Sequence, residues 1–182
     1  MAINSTIHKV ILEVVDMDRH YYNQHKITIA KHPSETDERM MVRILAFAMF
    51  AEDNLTFGKD INADNEPSLY IKDLTGEPKL WIELGQPSEK IIRKACNKSD
   101  KVKLILYGKS PELWWEKNIN ELNLKNNLEV ILLKPEETEA LASMADRSMK
   151  LTCTIENEEI SIINDNETIS IQPIFLKRNR NK

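Results

Sequence analysis

The sequence predicts a mixed α/β fold: a central mixed sheet flanked by helices, with antiparallel strands added at both ends. Three observations predict it. From residue 80 to 147, strand-like and helix-like segments alternate, the pattern of a parallel or mixed sheet with helices packed on it. Two of these strands, VKLILYG (102–108) and LEVILL (128–133), are nearly continuous apolar runs, as expected of strands covered on both faces. The two ends of the chain instead alternate apolar with polar residues, as paired antiparallel strands do.

The elements follow in order. STIHKVILEVVD (5–16) and HKITIAK (25–31) read as a starting hairpin joined through MDRHYYNQ. Pro33 ends the extended segment, and Ser34, with Asp37 three residues later, makes a capping box for a long helix reaching about Asp53. Met41, Val42, Leu45, Ala48 and Met49 form its inward stripe, and Glu38 continues that stripe one turn earlier. Residues 54–78 are irregular, with SLYIKD (68–73) as a short strand between the turn signals DNEP and TGEP. LWIELG (80–85) follows as a strand with Trp81 and Glu83 on one face.

Ser88 then caps a helix, EKIIRKACNK, whose core side is Ile91, Ile92, Ala95 and Cys96. PELWWEKNINELN (111–123) and PEETEALASMADR (135–147) are the next two helices. Residues 149–176 read as a strand pair or meander with NDNE as a turn. No internal repeat, linker or low-complexity segment interrupts the chain, so a single domain over 1–182 is expected.

Composition narrows the function classes. There are 25 basic and 29 acidic residues, a formal net charge of −4. That balance disfavours a polyanion-binding surface over the whole molecule but leaves room for a local basic groove. The KRNRNK end (177–182) reads as a solvated tail. No secretory signal and no membrane-length apolar run are visible, so a cytoplasmic address is expected. Cys96 and Cys153 are too few for a disulfide framework or a zinc site. His8, His20, His25 and His32 show no ligand spacing, and His8 and His25 fall in strands. Trp114 and Trp115 are adjacent on a helix, so one fills the core and the other covers a surface groove. Glycine-rich phosphate loops, the nucleophile elbow and zinc-protease motifs are absent.

The acids carry the remaining chemistry. Glu38 stands at the top of an apolar stripe, Asp64 and Glu66 in a turn before a strand, and Glu83 inside LWIELG. A carboxylate there is costly unless it is paired. Carboxylates converging at a strand end form an oxygen-rich pocket for a hard cation, Mg²⁺ or Mn²⁺ in its place. Such a cation polarises a phosphodiester and lowers the pKa of a bound water. Lys94, on the helix after Glu83, would then offset charge on phosphate. Each acid also has a structural reading: a helix-dipole partner for Glu38, turn residues for Asp64 and Glu66, and half of an ion pair with Arg39, Arg43 or Lys94 for Glu83.

HPSETDERMM (32–41), DNEP (64–67), LWIELGQP (80–87), RKAC (93–96) and ADRSM (145–149), in this order and spacing, resemble the YaeQ family of bacterial proteins over essentially the full length. The resemblance implies a restriction-endonuclease-like core of the PD-(D/E)XK nuclease superfamily. It assigns Glu38 as the helical acid and Asp64 or Glu66, with Glu66 favoured, as the acid ahead of the central strand. Glu83 takes the strand acid. Gly85 stands where the strand lysine would be, and Lys94 is its migrated replacement. The implied activity is a Mg²⁺-dependent nuclease or nucleic-acid-processing enzyme. The alternative is an inactive nuclease-fold protein that binds a protein or nucleic-acid partner.

Overall fold

A computed structural model describes residues 4–59 and 66–179. Asp64 therefore lies outside the described residues, as does most of the DNEP turn. In chain order the elements are β1 (Thr6–Asp16), β2 (Tyr21–Lys31), α1 (Asp37–Met49), β3 (Thr56–Phe57), β4 (Leu69–Lys72), β5 (Pro78–Leu84), α2 (Glu89–Lys98), β6 (Lys101–Leu106), α3 (Pro111–Leu122), β7 (Leu128–Leu132), α4 (Pro135–Ala142), β8 (Ser148–Glu156), β9 (Glu159–Ile163), β10 (Thr168–Ile171) and β11 (Ile174–Lys177). The mixed α/β class is the one expected. The chain forms two compact units, Met1–Ala51 with Glu136–Pro173, and Glu52–Pro135 with Ile174–Lys182. Among the described residues no helix is long and apolar enough to cross a membrane.

The first unit holds a five-stranded sheet of order β10-β9-β8-β1-β2. β1, β2, β8, β9 and β10 thus build a sheet of their own, while β11 extends the central one. Within it β1–β2, β8–β9 and β9–β10 are antiparallel as expected, and β1 and β8 join the two groups in parallel. The alternation of β1 explains the arrangement. Val10, Leu12 and Val14 are buried while Lys9, Ile11 and Glu13 are exposed, so the sheet has one wet face.

α1 starts later and ends earlier than the pattern suggests. Ser34 is engaged by His32, its Oγ lying 2.6 Å from Nδ1, and Thr36 takes the cap by accepting from the Arg39 N–H at 3.1 Å. At the other end Arg19 donates to the Ala51 carbonyl at 3.0 Å, and the chain leaves the helix after Met49. Every residue from Met40 to Met49 is buried, which exceeds the expected stripe. Among them is Arg43, whose guanidinium grips the Glu35 carboxylate through two bonds of 2.7 Å and donates to the Ala30 carbonyl at 3.0 Å.

α4 is also shorter than its pattern. Its chain ends in tight turns at 143–145, because β1 recruits the following backbone. The Lys9 N–H donates to the Arg147 carbonyl at 2.9 Å, and His8 Nδ1 lies 2.8 Å from the Asp146 carbonyl.

His25, on β2, offers a pH-dependent test. Burial holds its imidazole below the ordinary histidine value. Its Nε2 lies 2.9 Å from the Tyr21 hydroxyl, and its ring meets Phe47 edge-on. Just below the ordinary histidine value of 6.5 the unfolded chain binds a proton at His25 that the folded chain does not. Stability is expected to fall as pH drops through that window. Urea midpoints measured from neutral to mildly acidic pH should show this slope, and His25→Gln should flatten it. The same slope in the variant would rule His25 out as its source.

The second unit holds a six-stranded sheet of order β11-β7-β6-β5-β4-β3. β5, β6 and β7 are parallel, with β4 antiparallel to β5 and β11 antiparallel to β7. α2 and α3 cover the face that carries Trp81, Val102, Leu104 and Leu106, with Ile92 and Trp115 as their main inserts. Trp115 is the core tryptophan. Trp114 is half-buried, and its indole donates to the Pro87 carbonyl at 3.1 Å. Within the expected core side of α2, Ile92 and Ala95 are fully buried, and Ile91 and Cys96 are partly so. The expected solvated tail begins with a buried residue. The Lys177 ammonium donates to the Lys125 and Leu128 carbonyls at 2.6 and 3.0 Å, closing the turn after α3.

Candidate functional site

β5 is buried on both faces, and period two places Trp81 and Glu83 together on the face covered by α2. Glu83 faces Leu104 across the parallel β5–β6 pair and is only 9% exposed. Its carboxylate accepts from two neutral donors. The Trp81 indole N–H reaches Oε2 at 3.0 Å, and the Ser68 hydroxyl reaches Oε1 at 3.3 Å. These bonds offset part of the desolvation cost of a carboxylate inside a sheet.

Ser68 reaches Glu83 because the chain entering β4 is offset. The Ser68 N–H donates to the Ile82 carbonyl at 3.0 Å, although the ladder partner of Ile82 is Leu69. Two residues thus oppose one, the arrangement by which a bulge re-aims a side chain. Gly58 clamps the same segment from the outer side. Its N–H donates to the Ser68 carbonyl at 2.8 Å, and a Cβ on it would stand 2.0 Å from the Pro67 carbonyl oxygen. Glu66 begins this clamped run and is exposed.

Glu66 and Trp81 line a cavity of about 690 Å³, walled by Tyr70 and Lys72 on β4 and by Lys98 in the last turn of α2. Lys94 is half-buried one helical turn before Lys98, on the helix that covers the Glu83 face. Glu66, Glu83 and Lys94 therefore belong to one unit. Glu38 belongs to the other, half-buried, and accepts from the buried Thr138 hydroxyl at 2.7 Å.

Gly85 has a backbone reason for being glycine. It follows the end of β5 with φ +91°, and its N–H donates to the Ile105 carbonyl at 2.9 Å. A side chain there would be strained whatever space is available. Burial also pushes the Cys96 and Cys153 thiols up, to about 11 and about 12, which keeps both neutral.

Among the described residues, no group of three or more His, Cys, Asp and Glu side chains is placed to hold a metal ion. The donors that Glu66, Glu83 and Ser68 offer are all hard oxygens. Mg²⁺ is typically held by one or two carboxylates and keeps several waters, so this donor set suits it.

The sequence and the architecture can be set beside known proteins. A family model described as YaeQ protein matches residues 1–173. The chain belongs to the YaeQ family. It is 36% identical over 172 residues to "Uncharacterized protein YaeQ" of Escherichia coli K12, covering 94% of this chain and 95% of that one. The corresponding Salmonella typhi protein is 35% identical over 173 residues, covering 94% of this chain and 96% of that one. Among solved structures, YaeQ from Xanthomonas axonopodis pv. citri superposes with a TM-score of 0.93 at 44% identity, covering 95% of this chain and 98% of that one. YaeQ from Pseudomonas syringae gives 0.91 at 32% identity, covering 97% and 98%. The two-sheet architecture described above is thus a YaeQ architecture.

Three residues around Glu83 escape a sequence reading in different ways. Trp81 is legible as a face-mate through period two, but its N–H bond to the carboxylate is not. Ser68 depends on an offset that no propensity announces. Gly58 reads as an ordinary loop glycine.

Proposed function

We propose that this YaeQ-family chain is a Mg²⁺-dependent phosphodiesterase of the nuclease kind. Glu83 and Glu66 would supply the metal's protein oxygens and Lys94 would serve the phosphate, with Asp64 as the other candidate second acid. The observation that carries the reading is the Glu83 carboxylate, buried in a two-sided strand and oriented through both oxygens by Ser68 and Trp81. Orienting a buried carboxylate from both sides is what a metal site asks of the groups behind its ligands. The order α1, antiparallel β3–β4–β5, α2, then parallel β6 supports a PD-(D/E)XK-like core, an argument from fold analogy. When bound, the cation would polarise the phosphodiester and activate water. The chain's own residues would hold and orient that centre. Glu38, in the other unit, keeps its assignment as the helical acid.

Calorimetric titration with Mg²⁺ or Mn²⁺ tests the site. Glu83→Ala is expected to weaken binding by about 10–100-fold or more, the range seen even for groups one shell further out. Equal binding by wild type and variant would end the metal reading. A second reading, a nuclease-fold protein that binds a partner without cutting, is favoured by Gly85. Its positive φ excludes a comfortable strand lysine at that position.

A further inference from the structure

The cavity lined by Glu66 and Trp81 has a chemistry of its own. Its wall carries Lys59, Lys72 and Lys98 against Glu66 and Glu77, a local excess of positive charge in a chain of formal net charge −4. The three lysines come from three separate elements of one unit: the loop after β3, β4 and the end of α2. Such convergence is not a by-product of one helix face or one strand. Lys72 is held in place, its ammonium 4.8 Å from the centre of the Tyr70 ring. Lys98 also complements the negative end of α2, which explains a basic residue there but not its pairing with Lys72 across a cavity. Tyr70 and Trp81, cross-strand partners, supply aromatic surface to the same wall. The volume, about 690 Å³, is in the range that takes a small organic ligand rather than a bare ion.

We infer that this cavity binds the phosphate of a nucleotide, with Lys72 and Lys98 as its principal anion contacts and Lys59 as a third. The inference rests on the phosphoryl chemistry proposed for Glu66 and Glu83, because the cavity shares Glu66 and the Trp81 ring with that site. Two sources supply such a phosphate, a free mononucleotide or the end of a single strand. Neither needs the metal in order to bind, since lysine ammonium groups act here as point charges.

The test uses the full chain in EDTA, with adenosine monophosphate and a 5′-phosphorylated single-stranded oligonucleotide as probes. At least one is expected to bind, more weakly as salt rises. For the strand, Lys72→Ala/Lys98→Ala should lower the salt slope by about 0.7, the share of the one phosphate that the two lysines hold. For the mononucleotide the same variant should weaken binding by about tenfold or more, the scale of losing charge-assisted bonds. Which probe binds names the source. Lys72→Arg/Lys98→Arg should restore binding if charge is the cause. Lys26→Ala/Lys150→Ala, on the other unit, should change nothing. Binding of neither probe, or a double alanine variant that binds like wild type, overturns the inference. Probe binding in EDTA and Mg²⁺ binding without it are read separately on the wild type, so failure of the cavity and failure of the metal site give different results.

Discussion

Arg43→Ala is expected to destabilise the protein by about 3–5 kcal/mol, the usual consequence of leaving a buried charge without its partner. The Arg43 and Glu35 side chains are 4% and 0% exposed, and their two parallel 2.7 Å bonds form a bidentate fork. Removing the guanidinium also takes a donor from the Ala30 carbonyl on β2 and leaves a void among the buried residues of α1. A typical domain has only about 5–15 kcal/mol in total, so the variant should be close to its folding threshold. Replacing both partners by apolar groups, Glu35→Leu with Arg43→Met, is expected to cost far less, because no charge is left stranded. Urea unfolding of the wild type and both variants measures this. A single variant within about 1 kcal/mol of wild type would mean that the pair behaves like a solvated one.

Gly58→Ala is expected to cost about 1–3 kcal/mol, the range for forcing an extra carbon into a packed position. The upper end applies because the atom it meets, 2.0 Å away, is the Pro67 backbone oxygen, which cannot rotate aside as a side chain would. Relief requires the 66–68 segment to move away from β3. That motion would carry the Ser68 hydroxyl away from Glu83 and shift Glu66 with it. The variant should therefore lose metal affinity as well as stability, at temperatures where circular dichroism still shows it folded. Gly76→Ala is a useful contrast. A Cβ there meets nothing within 4 Å, so its cost is the strain of φ +89° alone, and metal affinity should be unaffected. Loss of stability in Gly58→Ala with unchanged metal binding would detach the clamp from the site.

Much of the fold was legible because periodicity reports burial. The continuous apolar runs marked β6 and β7 as covered on both faces, and the alternation in STIHKVILEVVD marked β1 as covered on one. Helix ends were less legible. Ser34 has the right chemistry for a cap, but a histidine two residues before it binds its hydroxyl, and Thr36 is left to do the work. Lys177 looks like the start of a charged tail until two carbonyls after α3 are seen to need a donor. In the candidate site, the cost of a carboxylate within LWIELG pointed to Glu83, and that reasoning needed no coordinates. Ser68 and Gly58 were invisible because their roles depend on residues that lie far off in the chain and close in space.

The sequence by itself determined the element types, the mixed α/β class, the family and the carboxylate in a buried strand. Local patterning carries the elements, the class and the buried acid, and the resemblance of five segments carries the family. Tertiary structure alone decided that β1 and β8 pair in parallel in a separate sheet, and that Glu35 grips Arg43. It also decided that Gly85 answers to its own backbone angle and that three lysines from separate elements face one cavity. For the strand pair and the lysines the physical reason is distance along the chain. Hydrogen bonds and ion pairs act over a few ångströms, so a partner many residues away leaves no periodic trace in the chain until the fold has brought it near.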